Sequence, residues 1–238
     1  MRTAIGRNDA VTMLKATPHP NYPAEAGRYI RGNDASPVAV AIVLNTDEDK
    51  IPLDLEKLAR AGAESGAALA GTVQTPNIGF EKMICNIVGN PNIRHLILGG
   101  PESAGHHTGE ALKALFTNGV DARKRIVGTD AAHAVLHNIP ADFILRILQQ
   151  VTLIDVQFEA DPAVIRKAVW SCYQEQPTSF RTYSLWDPGP FDGPPLDGRI
   201  TWRVTQPWWE PESDSERAAL ERAKALMEKL KARRVDRK

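Results

Sequence analysis

The residues with the most chemical potential lie together in residues 90–109, NPNIRHLILGGPESAGHHTG. Two adjacent imidazoles, His106 and His107, follow Gly100 and Gly105 and precede Thr108. Imidazole moves protons near neutral pH and ligates cobalt, zinc, copper and iron. Phosphate binding is one chemistry to weigh. Gly100, four residues and Gly105 have the glycine spacing of a P-loop. The next two residues of that motif are Lys and Ser or Thr, which reach phosphate and magnesium. Here they are His106 and His107, and a neutral imidazole does neither job well. A bare zinc site is a second possibility. It needs three or four protein ligands, and no CxxC or HExxH spacing supplies them.

The elements that must position these residues follow from hydrophobic patterning. The run Leu96-Ile97-Leu98 ends in Gly99-Gly100, and an amphipathic segment begins after the loop. A buried strand passing through a glycine loop into a helix is the βα unit of an open α/β sheet. Ligands in such sheets bind outside the carboxyl ends of the strands, where this loop would sit. Residues 37–44, PVAVAIVL, read as a strand covered on both faces. Further strands are expected over residues 69–73, 93–98, 125–129 and 152–156. Leu55, Leu58, Ala59, Gly62 and Gly66 share one helical face, whose small residues permit close packing on a sheet. Helices are also expected over residues 77–88, 109–118, 131–137, 141–151 and, from Asp161-Pro162 with Pro in the first turn, to Cys172. Strands alternating with helices imply a mainly parallel sheet with right-handed crossovers.

Residues 1–21 carry little apolar pattern and read as a loose N-terminal arm. After Cys172 the composition shifts. Residues 175–212 are rich in Pro and Gly and hold Trp186, Trp202, Trp208 and Trp209. They read as an extended segment wrapping the domain, with a possible strand over residues 200–204. Ser213 and Glu216 form a capping box. Leu220, Ala223, Met227 and Leu230 then make a narrow apolar stripe. Such a helix would fold onto its own domain or pair with a second copy or a methyltransferase partner.

The chain has 238 residues, with 29 basic and 29 acidic side chains, so net charge gives no sign of nucleic acid or an anionic membrane. Cys85 and Cys172 sit in apolar helical segments and read as buried thiols, not a disulfide framework or metal ligands. The N-terminus lacks the apolar core of a signal peptide. The longest apolar run, residues 38–44, is far below the roughly 20 residues needed to span a bilayer. A cytoplasmic protein without membrane insertion is expected. One imidazole suffices for a metal when a macrocycle fills the equatorial positions. His106-x-x-Gly109 matches the second half of the Asp-x-His-x-x-Gly signature of corrinoid-binding proteins, with Ala104 in the Asp position. On these residues alone, a loop histidine hydrogen-bonded to backbone remains an open alternative.

The stretch TPNIGFEKMICNIVGNPNIRHLILGGPESAGHHTGEALKAL closely resembles the A-subunit family of tetrahydromethanopterin S-methyltransferase, whose members carry the corrinoid of that enzyme. The family reads approximately TENLGIEK, NPNIRFLILCG and GHITG. Similarity begins near Tyr22, includes GNDASP and residues 66–71, and continues through NGVDARKRIVG to about Cys172. It implies a Rossmann-like three-layer domain over residues 22–174, flanked by the arm of residues 1–21 and an extension of residues 175–238. It also implies cobalamin or a related corrinoid as cofactor, with His106 at the axial position of cobalt. By resemblance and placement, Gly71, Thr75, Asn77, Gly79, Gly100, His107, Thr108 and Gly128 are the further candidates to line it. The glycines have turn geometry, and the polar residues helix capping, as their ordinary roles.

The resemblance implies a methyl carrier between a methylated tetrahydropterin and a thiol or other acceptor, working with a methyltransferase partner or as a homo-oligomer. A binding module on the same fold, sensing or storing a corrinoid without methyl transfer, is the alternative. Ligation requires a neutral imidazole, so protonation of His106 would weaken it at acid pH. His107 stands where the family has an apolar residue, Pro76 where it has an acid and Gly99 where it has a cysteine. The Trp/Pro segment and charged helix replace the family's C-terminal membrane helix.

Overall fold

The computed structural model describes residues 15–46 and 50–200, together with residues 214, 215, 217, 218, 221, 222 and 225 of the C-terminal part. Among the described residues, seven strands and five longer helices follow in order: β1 Tyr29–Arg31, β2 Val38–Val43, α1 Leu53–Glu64, β3 Leu69–Val73, α2 Ile78–Val88, β4 His95–Gly99, α3 Thr108–Asn118, α4 Ala141–Gln150, β5 Thr152–Asp155, α5 Pro162–Cys172, β6 Thr178–Phe180 and β7 Tyr183–Leu185. Every residue of β2 is buried, as its unbroken apolar run requires of a strand covered on both faces.

The main sheet has the order β1-β3-β2-β4-β5. The β3, β2, β4 and β5 strands pair in parallel, and β1 is an antiparallel edge. Side chains alternate across the pleat. Ala39, Ala41 and Val43 enter one core with α2, α3 and α4. Val38, Val40, Ile42 and Leu44 enter the other with α1 and α5. This three-layer α/β arrangement is the expected Rossmann-like class. The first parallel strand, β2, lies between β3 and β4, so the chain leaves its two sides in opposite directions and opens a crevice at their carboxyl ends.

Helix α1 approaches the sheet closely because Gly62 has no side chain. A Cβ there would lie 2.8 Å from Val40 Cγ2 and 3.3 Å from the Ala70 Cβ. Gly66 does not share that face. It lies beyond the helix with a φ of +100°, and its carbonyl accepts from the Tyr173 hydroxyl.

Two expected elements are absent. Residues 125–129 form no sheet strand, and residues 131–137 form no helix; both lie in an excursion with two isolated bridges, Val120 to Ile126 and Arg125 to Val135. Lys124 and His133 take positive φ there, which bends the chain back on itself. Ile126 N–H then donates to Ala134 O and Leu136 N–H to Lys124 O. Local pairing thus satisfies backbone groups that a sheet strand or a helix would otherwise satisfy. The β1 strand and the β6–β7 hairpin were not expected from the sequence.

Part of the expected loose arm is tied down. Asn92 brackets residue 16, its Oδ1 accepting from Ala16 N–H at 2.8 Å and its Nδ2 donating to Ala16 O at 2.8 Å. His19 N–H donates to Gly89 O, and Lys15 pairs with Asp187. Residues 186–200 run as an extended strap. Phe191 N–H donates to Pro91 O, Leu196 N–H to Val88 O, and the Arg146 guanidinium lies 4.3 Å from the Phe191 ring centroid. The possible strand over residues 200–204 lies, beyond Ile200, outside the described residues, as do the stripe Leu220, Ala223, Met227 and Leu230 and the side chains of Trp202, Trp208 and Trp209. The seven described residues of the C-terminal part are helical and exposed. Cys85 and Cys172 are free and buried, and burial pushes each thiol up to about 12. Such thiols are poor nucleophiles.

Replacing Gly62 with Val tests the close approach of α1. Overpacking against Val40 and Ala70 is expected to destabilise the fold by ~1–3 kcal/mol, seen as a lower midpoint in chemical denaturation. An unchanged midpoint would show that the layer has room to spare.

Candidate functional site

The loop from Gly100 to His107 leaves β4 beside β2, at the crevice. Gly100 turns the chain with a φ of +85°, and a Cβ there would meet Ile42 Cγ2 and Val43 O, each at 2.9 Å. Gly99 is equally enclosed: a Cβ would lie 2.9 Å from Ile42 Cδ1 and 3.2 Å from Ile165 Cδ1. The isoleucines therefore fill the space that a cysteine at this position would need.

The feet of the loop are clamped by Glu102. Its carboxylate accepts from Ser103 N–H at 2.9 Å, Gly109 N–H at 2.8 Å, Glu110 N–H at 2.9 Å and Gln157 Nε2 at 3.2 Å. The exposed donors of the first turn of α3 thus meet a negative charge at the positive end of the helix. Burial by itself raises the Glu102 pKa, but the N–H groups of Gly109, Ser103 and Glu110, with the Gln157 amide, hold it below the usual carboxylate range. Gly109 is required for the clamp, because a Cβ would stand 2.0 Å from Gln157 Nε2.

A second staple lies inside the first. Thr108 N–H donates to Ser103 Oγ at 3.1 Å, Ser103 Oγ to Thr108 Oγ1 at 2.7 Å, and Thr108 Oγ1 to Gln74 O at 2.5 Å. Thr108 is fully buried, and its hydroxyl joins the loop to the carboxyl end of β3. Between the staples the tip projects. His106 is partly buried and His107 exposed, with a left-handed φ of 50° at the N-cap of α3. Neither imidazole hydrogen-bonds another described residue. The backbone-bonded histidine that the sequence left open is therefore not what the structure contains. Among the described residues no three His, Cys, Asp or Glu side chains converge to hold a metal ion. A metal on His106 would need its other ligands from a bound group.

The remaining candidates fall into three places. Gly71, Thr75 and Gly79 line a cavity of about 250 Å³ between α2 and the sheet. Thr75 Oγ1 accepts from Gly79 N–H at 3.2 Å, and Asn77 Oδ1 caps α2 by accepting from Ile78 N–H at 2.7 Å. Gly71 admits β1, since a Cβ would lie 2.5 Å from Tyr29 Cβ. Gly100 lines a separate groove with Pro101, Phe158, Asn45 and Leu58. Gly128 lies away from both, against Asn118 at the far end of α3. Gln74, Glu102, Ser103 and Gln157, which hold the loop, were not singled out by sequence. Gln157 is 55 residues from Glu102, and no local spacing announces that pair.

An open parallel sheet with an unpartnered imidazole held at its topological switch point defines a Rossmann-like ligand-binding protein. Residues 15–186 match the MtrA family, described as the A-subunit of tetrahydromethanopterin S-methyltransferase. The chain is 41% identical over 166 residues to the second of two A-subunits of that enzyme from Methanobrevibacter ruminantium, covering 69% of this chain and 80% of the relative. It is 40% identical over 172 residues to the first A-subunit from Methanothermobacter marburgensis, covering 72% and 68%. The match to the first A-subunit from Methanobrevibacter ruminantium, also 41% identical, covers 67% of this chain and 61% of the relative. The chain belongs to the A-subunit family of tetrahydromethanopterin S-methyltransferase. Among the described residues no helix is long and apolar enough to cross a membrane.

Glu102→Gln tests the clamp. Losing the charge-assisted hydrogen bonds is expected to cost ~1–3 kcal/mol at neutral pH. Because the folded pKa is depressed, this stabilisation is present above the unfolded carboxyl value of about 4.3 and is lost as pH falls through the lower folded value. Denaturation curves of wild type and variant should therefore converge in acid. A gap that stays constant into acid would assign the loss to packing instead.

Proposed function

We propose that the chain is a corrinoid-binding methyl carrier and that His106 is the protein ligand to cobalt. The observation that carries this reading is the imidazole of His106, free of protein partners and held on a loop stapled at both feet. Family membership supports it, since the relatives are named as subunits of a tetrahydromethanopterin methyltransferase. Transfer of a methyl group from a methylated tetrahydropterin to an acceptor is the activity that accords with those names. A corrinoid, when bound, supplies a cobalt centre able to take up and release a methyl group.

The residues of the chain have distinct parts in this reading. His106 offers a neutral nitrogen donor of a type suited to cobalt. Glu102 and Gln157 fix the second foot of the loop, and Ser103 and Thr108 fix it to β3 through Gln74. A ligand on so short a stapled loop is pre-organised, which lowers the ordering cost of binding. His107, one residue on, is exposed and conformationally distinct. It is assigned no ligating role.

Electron paramagnetic resonance of the protein loaded with cob(II)alamin tests the assignment. Wild type should show nitrogen superhyperfine splitting that changes when histidine is labelled with ¹⁵N. The label effect should vanish in His106→Ala and persist in His107→Ala. The reverse pattern would transfer the role to His107. Absence of corrinoid binding at micromolar concentration would overturn the carrier reading. Binding without methyl transfer from any methylated tetrahydropterin would leave a sensing or storage module.

A further inference from the structure

The cavity beneath α2 has a cause in the sequence. On the α2 side of the sheet, β2 contributes Ala39 and Ala41, and the register sets Ala41 beside Gly71. Neighbouring positions on that face carry Val43, Leu96 and Leu98. Three adjacent small residues therefore leave unfilled the space that a packed core would occupy. Side chains in protein interiors normally close such space, because an unfilled apolar void is costly. The cavity of about 250 Å³ is walled by apolar side chains, among them Leu69, Val73, Met83 and Leu96, and has Thr75 and Lys82 among its polar lining.

We propose that this cavity is a binding pocket for one flat bicyclic aromatic group, the lower base of the corrinoid's nucleotide arm. The inference rests on the reading of His106 as axial ligand. An imidazole supplied by the protein takes the coordination position that the cofactor's own base would otherwise occupy. That base then becomes a free, flat and largely apolar group, and burying it stabilises the complex. The volume suits a fragment: pockets for drug-sized ligands begin near about 300 Å³, so one ring system fits and a macrocycle does not. Arg28 and Lys82 add positive charge to the lining, in keeping with the phosphate that such a nucleotide arm carries.

The pocket and the histidine loop are physically joined. Gln74 lines the cavity, and its carbonyl accepts the hydrogen bond from Thr108, two residues after His106. One ligand with a metal at one end and an aromatic base at the other would thus engage both sides of that bond. A pterin ring is also flat and bicyclic. Its many donors and acceptors would need buried polar partners, which Ala39, Ala41, Leu69, Val73 and Leu96 do not provide. The apolar lining favours a benzimidazole-type base.

Absorption titrations of the whole chain with cobalamin and with cobinamide, which lacks the nucleotide arm, test the pocket. Wild type should bind cobalamin more tightly than cobinamide. Ala41→Leu, which fills the cavity from its floor, should weaken cobalamin by about ten-fold or more, the scale of excluding a group from an apolar pocket. Cobinamide affinity should not change. Met83→Phe narrows the same cavity from its partly exposed helix side and should act alike, which guards against a floor variant that fails to fold. Free α-ribazole should compete with cobalamin, and a free tetrahydropterin should not. Cobinamide binding as tightly as cobalamin, with neither variant affecting cobalamin, would overturn this inference while leaving His106 ligation intact. Competition by the pterin alone would reassign the pocket to the methyl donor and also overturn it. If neither corrinoid binds, the carrier reading fails and takes this inference with it.

Discussion

The constraint on which the structure depends is that β2 is paired in parallel on both sides. A strand in that position has no solvent face and no free edge, so it must be apolar along its length. Its two parallel neighbours, β3 and β4, are reached by crossovers on opposite faces of the sheet. The crevice at the carboxyl ends follows from that division and not from any loop residue. Gly100 then brings the histidine loop against β2, through its approach to Ile42 and Val43. The position of His106 is thus set first by sheet topology and only then refined by hydrogen bonds.

The refinement uses charge economically. A single carboxylate, Glu102, meets three backbone donors and one side-chain amide. Helix α3 has no side-chain cap from His107, its N-cap residue. A cap supplied by that imidazole would tie it down to α3. A cap from before the loop closes the loop at its base and leaves the side chains of the tip unbonded. The two imidazoles therefore remain available while the backbone beneath them is fixed. Ordered support and free donor groups are compatible here because they occupy different levels of one loop.

Much of this arrangement was legible in the sequence, and the limits have physical causes. The runs that became β2, β3 and β4 are long or apolar enough to declare themselves, and the helical periodicities of α2, α3 and α5 appear in order. The β1 strand has three residues and owes its existence to Gly71, distant in sequence, which admits Tyr29. Residues 125–137 carry apolar positions that suit either a strand or a short helix. They form neither because positive φ at Lys124 and His133 lets them pair locally. In the site, His106 was visible by residue type. Gln157, Gln74 and Glu102 were not, since ordinary polar residues acquire these tasks only through convergence of distant segments.

The anchoring of Lys15 and Ala16 has a consequence for presentation. Their partners, Asp187 and Asn92, belong to segments at the amino-terminal rim of β4, the rim opposite the histidine loop. Phe191 is secured at the same rim through Pro91. A molecule immobilised through the chain ahead of Lys15 would therefore stand on its base, with the loop facing outward into solution. Orientation of this kind keeps approach to His106 unobstructed by the mooring itself. A docking protein and a solid support could hold the domain simultaneously, each from its own pole.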